Sequence, residues 1–211
     1  MREPAIKICG LSTPEAIDAA VAARATHIGL VHYPPSPRHV TLEQGAALRA
    51  RVPREIKVVL LLVNEQPQPT ALAIQAVRPD VVQFHGSETA EWLALLRQNT
   101  PLEIWKAIGV RETANLERAQ RYKDAAHRIL YDAPAQKLPG GTGLAFDWSL
   151  LTSFRHTVPW GLAGGLTPET VAEAIRQTGA ELIDASSGLE SAPGVKDAAK
   201  IAAFCAAARG A

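Results

Sequence analysis

Residues 5–31 read AIKICGLSTPEAIDAAVAARATHIGLV, and this stretch decides the fold. A short apolar run over residues 6–9 is followed by Thr13-Pro14-Glu15, where a capping threonine and a proline at the first helical position are typical of a helix start. A second apolar run then covers residues 27–31. Runs that are apolar throughout, separated by a helix, predict parallel strands that are covered on both faces.

The same alternation continues to the end of the chain. Helix-start signals recur at Thr41, Ser87 and Thr167. Eight apolar runs are candidate strands: residues 6–9, 27–31, 57–63, 80–84, 103–108, 128–132, 158–163 and 181–184. Eight strand–helix units of roughly 25 residues predict an α/β protein, a single-domain (β/α)8 TIM barrel with parallel strands over residues 1–211. An open doubly wound sheet is the rival, but no GxGxxG follows the first strand.

The composition and charge limit the classes of partner that we expect the protein to bind. The 22 basic and 21 acidic residues are interspersed, giving a net charge of +1, so we expect a small-molecule partner and no nucleic acid. No leader pattern and no apolar run of spanning length is present, which predicts a cytoplasmic protein with no membrane partner. The two cysteines, Cys9 and Cys205, have no CxxC or zinc spacing, so neither a disulfide nor a metal is expected. Apolar positions on the outer helices leave a monomer and a homodimer open.

Polar residues at the carboxyl ends of the predicted strands form the candidate site. In a barrel these ends meet at one mouth, so Cys9, Asp132, Asp184 and the corner 83–86, QFHG, converge there. A cysteine at a strand end is also a common buried packing residue, and an aspartate before Ala133 can simply cap a loop. We leave Asp184 outside the predicted catalytic set, because it equally suits a helix N-cap or a secondary pocket residue.

Glycine clusters follow the last three predicted strands. The stretches 162–168, LAGGLTP, and 184–190, DASSGLE, predict a phosphate site, since glycine allows close backbone approach and exposed N–H groups bind anions. Its predicted members are Gly164, Gly165, Ser186, Ser187 and Gly188. Gly141 and Gly143, in the long loop after the sixth strand, are added because loops of this length are usually lids or ligand contacts. Tight βα turns are the alternative use of these glycines.

The ordered motifs resemble a known family. KICGL, YPPSPRHV, VQFHGSE, YDA followed by GGTG and FDW, LAGGLTPETV and DASSGLESAPGVKD, taken in this order and spacing, resemble the phosphoribosylanthranilate isomerases of tryptophan biosynthesis. The resemblance runs from the first strand to the last helix. It departs at His32, where phenylalanine is common, and at Phe84, where leucine is usual.

The resemblance implies an Amadori rearrangement of a phosphorylated aminoaldose to an aminoketose, with no cofactor. It assigns Asp132 as the general acid that protonates the furanose ring oxygen and Cys9 as the general base that removes the proton from sugar carbon 2. It assigns Arg38 to the substrate, where a guanidinium fork suits a carboxylate, and Gln83 and His85 to the pocket wall. A free thiol titrates near ~8.5, so the base needs a cationic or hydrogen-bonding neighbour.

Two other functional classes stay open at this point. One is another phosphate-sugar barrel enzyme, either a histidine-pathway aminoaldose isomerase or an indole-glycerol-phosphate synthase. The first of these relies on two aspartates and the second on lysine and glutamate, whereas Cys9 and Asp132 supply a thiol and a carboxyl. The other class is a non-catalytic phosphometabolite-binding barrel, which has no need of an acid and a base.

Overall fold

The computed structural model describes residues 3–133 and 146–211. Within this part of the chain eight strands form a closed parallel barrel, in which each strand pairs with the next and the last pairs with the first. The strands are Ala5–Cys9 (β1), His27–Val31 (β2), Lys57–Leu62 (β3), Val81–Phe84 (β4), Glu103–Gly109 (β5), Arg128–Asp132 (β6), Trp160–Leu162 (β7) and Leu182–Ala185 (β8). The predicted parallel barrel is confirmed.

The strand boundaries follow the apolar runs to within two residues. Strands β2 and β6 coincide with the predicted ranges, whereas β7 is half as long as the predicted 158–163. Pro159 explains the late start of β7, because proline has no N–H for the ladder. Its carbonyl still accepts a hydrogen bond from the Ile129 N–H, which holds the approach to β7 against β6.

Helices connect the strands on the outside of the barrel. They are Pro14–Ala22 (α1), Leu42–Arg51 (α2), Pro67–Val77 (α3), Ala90–Asn99 (α4), Thr113–Ala119 (α5), Ser149–Thr152 (α6), Val171–Thr178 (α7) and Ala198–Arg209 (α8). Thr13 caps α1 and Thr41 caps α2, as predicted, and Thr41 also forms a capping box with Gln44. The other two predicted starts are wrong.

The starts of α4 and α7 lie two and three residues later than expected. Thr89 caps α4 because the Ser87 backbone and hydroxyl both donate to the Asn64 side chain, which keeps Ser87 in the preceding loop. Helix α7 begins after Thr170, whose hydroxyl accepts from the Thr167 N–H, so Thr167 belongs to the turn before the helix.

Strand periodicity sorts side chains between the barrel interior and the helices. Successive strand residues point to opposite faces, so on β1 the residues Lys7 and Cys9 face inward while Ile6 and Ile8 face the helix layer. The interior layer near the bottom is apolar and contains Val59, Val81, Trp105, Ala107, Leu130 and Leu182. A second small cluster of Cys9, Val31, Leu61 and Val63 lies at the mouth. The inward-facing residues of the strands are therefore apolar near the bottom of the barrel and include the polar site residues at the mouth.

A hairpin that the sequence did not predict follows β8. A 3-10 turn over Ser187–Leu189 leads into two short antiparallel strands, Glu190–Ala192 (β9) and Val195–Lys196 (β10), before α8 begins. In the described part of the chain no helix combines the length and apolarity that a membrane crossing requires.

Candidate active site

The carboxyl ends of the strands surround one cavity of about 620 Å³, counted with its open mouth. Every predicted site residue that the structure describes lines it: Cys9, Arg38, Gln83, His85, Asp132, Gly164, Gly165, Ser186, Ser187 and Gly188. Gly141 and Gly143 lie outside the described residues. Asp184, which the sequence placed at the mouth without a role, lines the same cavity.

The Cys9 thiol lies at the end of β1 and is almost fully buried. Gly29 on the neighbouring strand gives it room, because a Cβ at that position would lie 2.8 Å from the sulfur. Burial raises the pKa of Cys9, the Lys7 ammonium opposes that rise, and the Asp184 carboxylate adds to it. The pKa stays above the ordinary thiol value, which favours the protonated thiol.

Lys7 and Asp184 form a buried ion pair inside the barrel. The Lys7 Nζ lies 2.6 Å from Asp184 Oδ2, and the two residues are register partners on β1 and β8. The Lys7 side chain has no exposed surface. Sequence reasoning missed Lys7, although a lone lysine two residues before Cys9 in an apolar strand has the same inward parity as the cysteine.

Asp132, His85 and Gln83 form a polar row on the opposite wall. His85 Nε2 lies 3.3 Å from Asp132 Oδ2, and Gln83 Nε2 lies 3.5 Å from His85 Nδ1. The second Asp132 oxygen, Oδ1, accepts the Ala133 N–H at 2.8 Å, which fixes the rotation of the carboxyl group. The facing atoms Asp132 Oδ2 and His85 Nε2 belong to residues that line the cavity.

Arg38 enters the cavity from the loop after β2 and is held by the unpredicted hairpin. Its Nε and one terminal nitrogen donate to the two Glu190 oxygens at 2.7 and 2.8 Å, a bidentate pair. Lys196 Nζ contacts the same carboxylate at 2.5 Å and the Ser186 carbonyl at 3.0 Å. Burial raises the pKa of Glu190, but these two cations outweigh it and hold the pKa below its usual value.

Glu190 and Lys196 therefore hold the site residue Arg38 in place, directly and through Glu190, and sequence reasoning missed both. Each lies in a strand of two or three residues, too short to show a periodic pattern. Arg38 lines the cavity, and its Nε and one terminal nitrogen are taken up by Glu190.

The loops after β7 and β8 present backbone donors to the cavity. Gly164 and Gly165 have positive φ angles of +86° and +66°, which side chains other than glycine rarely adopt. Within residues 3–133 and 146–211, the N–H groups of the predicted phosphate-site residues, 164, 165 and 186–188, donate to no protein acceptor. Unpaired N–H groups beside glycine loops are the donors that an anion requires.

The two departures from the family pattern lie outside the cavity wall formed by the described residues. Phe84 is fully buried on the helix-facing side of β4, the side opposite Gln83. His32 Nδ1 lies 2.9 Å from the Val40 carbonyl oxygen. Neither side chain shapes the pocket seen here. Among the described residues no group of three or more histidine, cysteine or acidic side chains has the geometry to hold a metal ion.

Comparison with known proteins decides the family. A family profile described as N-(5'phosphoribosyl)anthranilate (PRA) isomerase matches residues 6–207. The chain belongs to this isomerase family. An N-(5'-phosphoribosyl)anthranilate isomerase from Erythrobacter litoralis is 66% identical over 206 residues, which cover 98% of this chain and 99% of the relative. The predicted resemblance is confirmed, and the protein is an isomerase of this family.

Solved structures of the family have the same fold. The phosphoribosyl anthranilate isomerase from Thermotoga maritima matches with a TM-score of 0.90 and 32% identity, covering 98% of both chains. A phosphoribosyl anthranilate isomerase in complex with reduced 1-(o-carboxyphenylamino)-1-deoxyribulose 5-phosphate matches with a TM-score of 0.87, 32% identity and 98% coverage of both chains.

Proposed function

We propose that this chain converts N-(5-phosphoribosyl)anthranilate to 1-(2-carboxyphenylamino)-1-deoxyribulose 5-phosphate, with Cys9 as general base and Asp132 as general acid. The observation that carries the proposal is the convergence of the two side chains, from β1 and β6, on one cavity that also contains unpaired backbone donors. An aldose–ketose rearrangement needs one acid and one base, and both line this cavity.

The two ends of the substrate match two parts of the cavity. The phosphate binds the N–H groups of the loops after β7 and β8, which lie at the cavity wall. The anthranilate carboxylate binds the outer edge of Arg38, whose inner edge is occupied by Glu190. Because Glu190 fixes the plane of the guanidinium, little side-chain entropy is lost when the carboxylate binds.

The chemistry then proceeds between the two walls. Asp132 gives its proton to the furanose ring oxygen, the bond from that oxygen to sugar carbon 1 breaks, and the anthranilate nitrogen forms the Schiff base. Cys9, as the thiolate, removes the proton from carbon 2, and the electron pair moves to give the enolamine. Tautomerisation of the enolamine gives the ketone. His85 lies beside the Asp132 oxygen and keeps it directed at the substrate.

The phosphate-sugar alternatives differ in the residues that they need. A histidine-pathway aminoaldose isomerase relies on two aspartates, and here the residue at the end of β1 is Cys9. Asp184 supplies a second aspartate, but its Oδ2 is taken by Lys7. A pure phosphometabolite binder gains nothing from a thiol and a carboxyl on opposite walls. We therefore favour the isomerase reaction on phosphoribosylanthranilate.

A fluorescence assay tests the proposed function. Purified protein mixed with phosphoribosylanthranilate should abolish the substrate's fluorescence, and EDTA should leave the rate unchanged. The histidine-pathway aminoaldose, offered separately and followed by product analysis, separates the second class of enzyme from the first. The assignment would be overturned if the protein converted the histidine-pathway aminoaldose but not phosphoribosylanthranilate. If it converted neither compound, the protein would be classed as a binding protein.

The phosphate site predicts a selective effect on KM. A Cβ at Gly188 would lie 2.1 Å from the Leu166 carbonyl oxygen, so Gly188→Ala must push the two loops apart. We expect KM to rise at least about tenfold, or roughly 1.4 kcal/mol of binding, with a smaller effect on kcat. Steady-state kinetics measure both. Gly210→Ala is the matched control, because its Cβ meets nothing closer than 3.7 Å. A Gly188→Ala enzyme with unchanged KM would remove this loop from the phosphate site.

Other features stay predictions from the sequence: a single domain over residues 1–211, a cytoplasmic location, the absence of a cofactor, and assembly as a monomer or a homodimer.

A further inference from the structure

A buried charge pair beneath Cys9 has no part in the proposed reaction. Lys7 and Asp184 lie in the barrel interior, and taking two charges out of water is costly even when they form an ion pair. Asp184 uses only one of its oxygens. Its Oδ2 accepts from Lys7 at 2.6 Å, whereas its buried Oδ1 has no hydrogen-bond partner in the described residues, although Asp184 lines the cavity.

We propose that Lys7 and Asp184 form a proton-sharing unit with Cys9, in which Lys7 stabilises the thiolate and Asp184 takes up the proton that the thiol loses. Lys7 donates to Asp184, and it shares the inward face of β1 with Cys9, two residues further along the strand. The inference rests on the proposed role of Cys9 as base, and it names the residues that make the thiol able to act.

The proton transfer balances without any outside group. Lys7 gives one N–H proton to Asp184 Oδ2, and the neutral amine then takes the Cys9 proton. One N–H and one S–H bond break, while one O–H and one N–H bond form. The unit begins as thiol, ammonium and carboxylate and ends as thiolate, ammonium and carboxylic acid, so its net charge stays zero. A buried site gains from this, because no net charge is created in a low dielectric.

The groups that surround Cys9 come from three strands and support this division of work. Lys7 on β1 and Lys196 on β10 lower the pKa of the thiol, and Asp184 on β8 raises it. Burial raises the pKa of Asp184 above the ordinary carboxyl value, Lys7 and His85 oppose the rise, and Asp132 adds to it. The pKa of Lys7 is raised, because Asp184 and Cys9 outweigh the lowering effect of burial. Asp184 is thus suited to hold a proton, and Lys7 is charged at both the start and the end of the transfer.

The pH dependence of Cys9 alkylation tests the unit without any substrate. The rate of modification by iodoacetamide is followed by mass spectrometry in a Cys205→Ala background, so that only one thiol reacts. The midpoint of the rate against pH is the apparent pKa of the coupled unit. Lys7→Met removes the cation, Asp184→Asn removes the anion and the proton acceptor, and the double variant Lys7→Met, Asp184→Asn keeps the interior neutral.

We expect the two single variants to move the midpoint in opposite directions. Lys7→Met should raise it by about one unit or more, because the thiolate loses its cation, so alkylation at neutral pH slows about tenfold. Asp184→Asn should lower it, because loss of the proton from the unit then leaves one anion beside Lys7 instead of two. If Lys7→Met fails to fold, the double variant compared with Asp184→Asn measures the same effect of Lys7, and its midpoint should be the higher of the two.

Turnover supplies a second readout. In Lys7→Met, kcat should fall at least about tenfold with KM within threefold, and in Asp184→Asn the acid limb of kcat/KM should move to lower pH. An unmoved alkylation midpoint in all variants would overturn the proposal and leave the pair a packing element. A raised KM in Asp184→Asn with an unmoved midpoint would also overturn it, because Asp184 would then be a substrate-binding group. Since alkylation needs no substrate, these outcomes stay separate from failure of the isomerase assignment.

Discussion

Cys9→Ala should lower kcat on phosphoribosylanthranilate by about a thousandfold or more. The alanine fits the space of the cysteine between β1 and Gly29 but has no group to accept the proton from carbon 2. Contributions of about 10²–10⁴ are typical of a positioned general base. KM should stay within about threefold, because the phosphate loops and Arg38 are untouched. Loss of substrate fluorescence measures both constants.

Cys205→Ala is the matched control for this experiment. Cys205 is also buried, but it lies on α8 away from the cavity, and burial raises its pKa to about 11. Its replacement should leave kcat within about twofold. A Cys9→Ala enzyme as active as the Cys205→Ala enzyme would show that another group removes the proton, and the base assignment would be wrong.

Apolar periodicity made the barrel predictable because each buried parallel strand is a nearly continuous apolar run. The run over residues 128–132 coincides with β6 and puts Asp132 at its carboxyl end. Once the barrel is assumed, every strand end points to one mouth, so the convergence of Cys9, Asp132 and the corner at Gln83 follows from topology. The chemistry assigned to these residues came from the family resemblance, not from the pattern.

Contacts between residues far apart in the sequence could not be predicted from the sequence. Lys7 meets Asp184 across 177 residues and Arg38 meets Glu190 across 152, and no local pattern records either contact. The β9–β10 hairpin has strands of three and two residues, which is below the length at which periodicity is visible. The predicted helix start at Ser87 was wrong because serine suits both a helix cap and the loop contact that it makes with Asn64.

Asp132→Asn should lower kcat by about a hundredfold to ten-thousandfold while leaving KM within about threefold. The amide keeps the shape of the side chain, and its oxygen can still accept the Ala133 N–H, so the group stays in place. What it lacks is an acidic proton for the furanose ring oxygen. The fall in kcat therefore isolates the acid step from binding, and the fluorescence assay measures it.

Two further variants show whether the effect belongs to the acid. Asp124→Asn removes an exposed carboxyl outside the cavity and should change nothing. His85→Gln removes the imidazole at 3.3 Å but leaves the carboxyl, so kcat should fall by less than in Asp132→Asn. If instead His85→Gln lowers kcat more than Asp132→Asn does, the imidazole is the proton donor and Asp132 only orients it. Asp132 is the general acid only if its replacement lowers kcat more than the replacement of His85 does. Ring opening needs the proton itself, and the hydrogen bond between Asp132 and His85 cannot substitute for it.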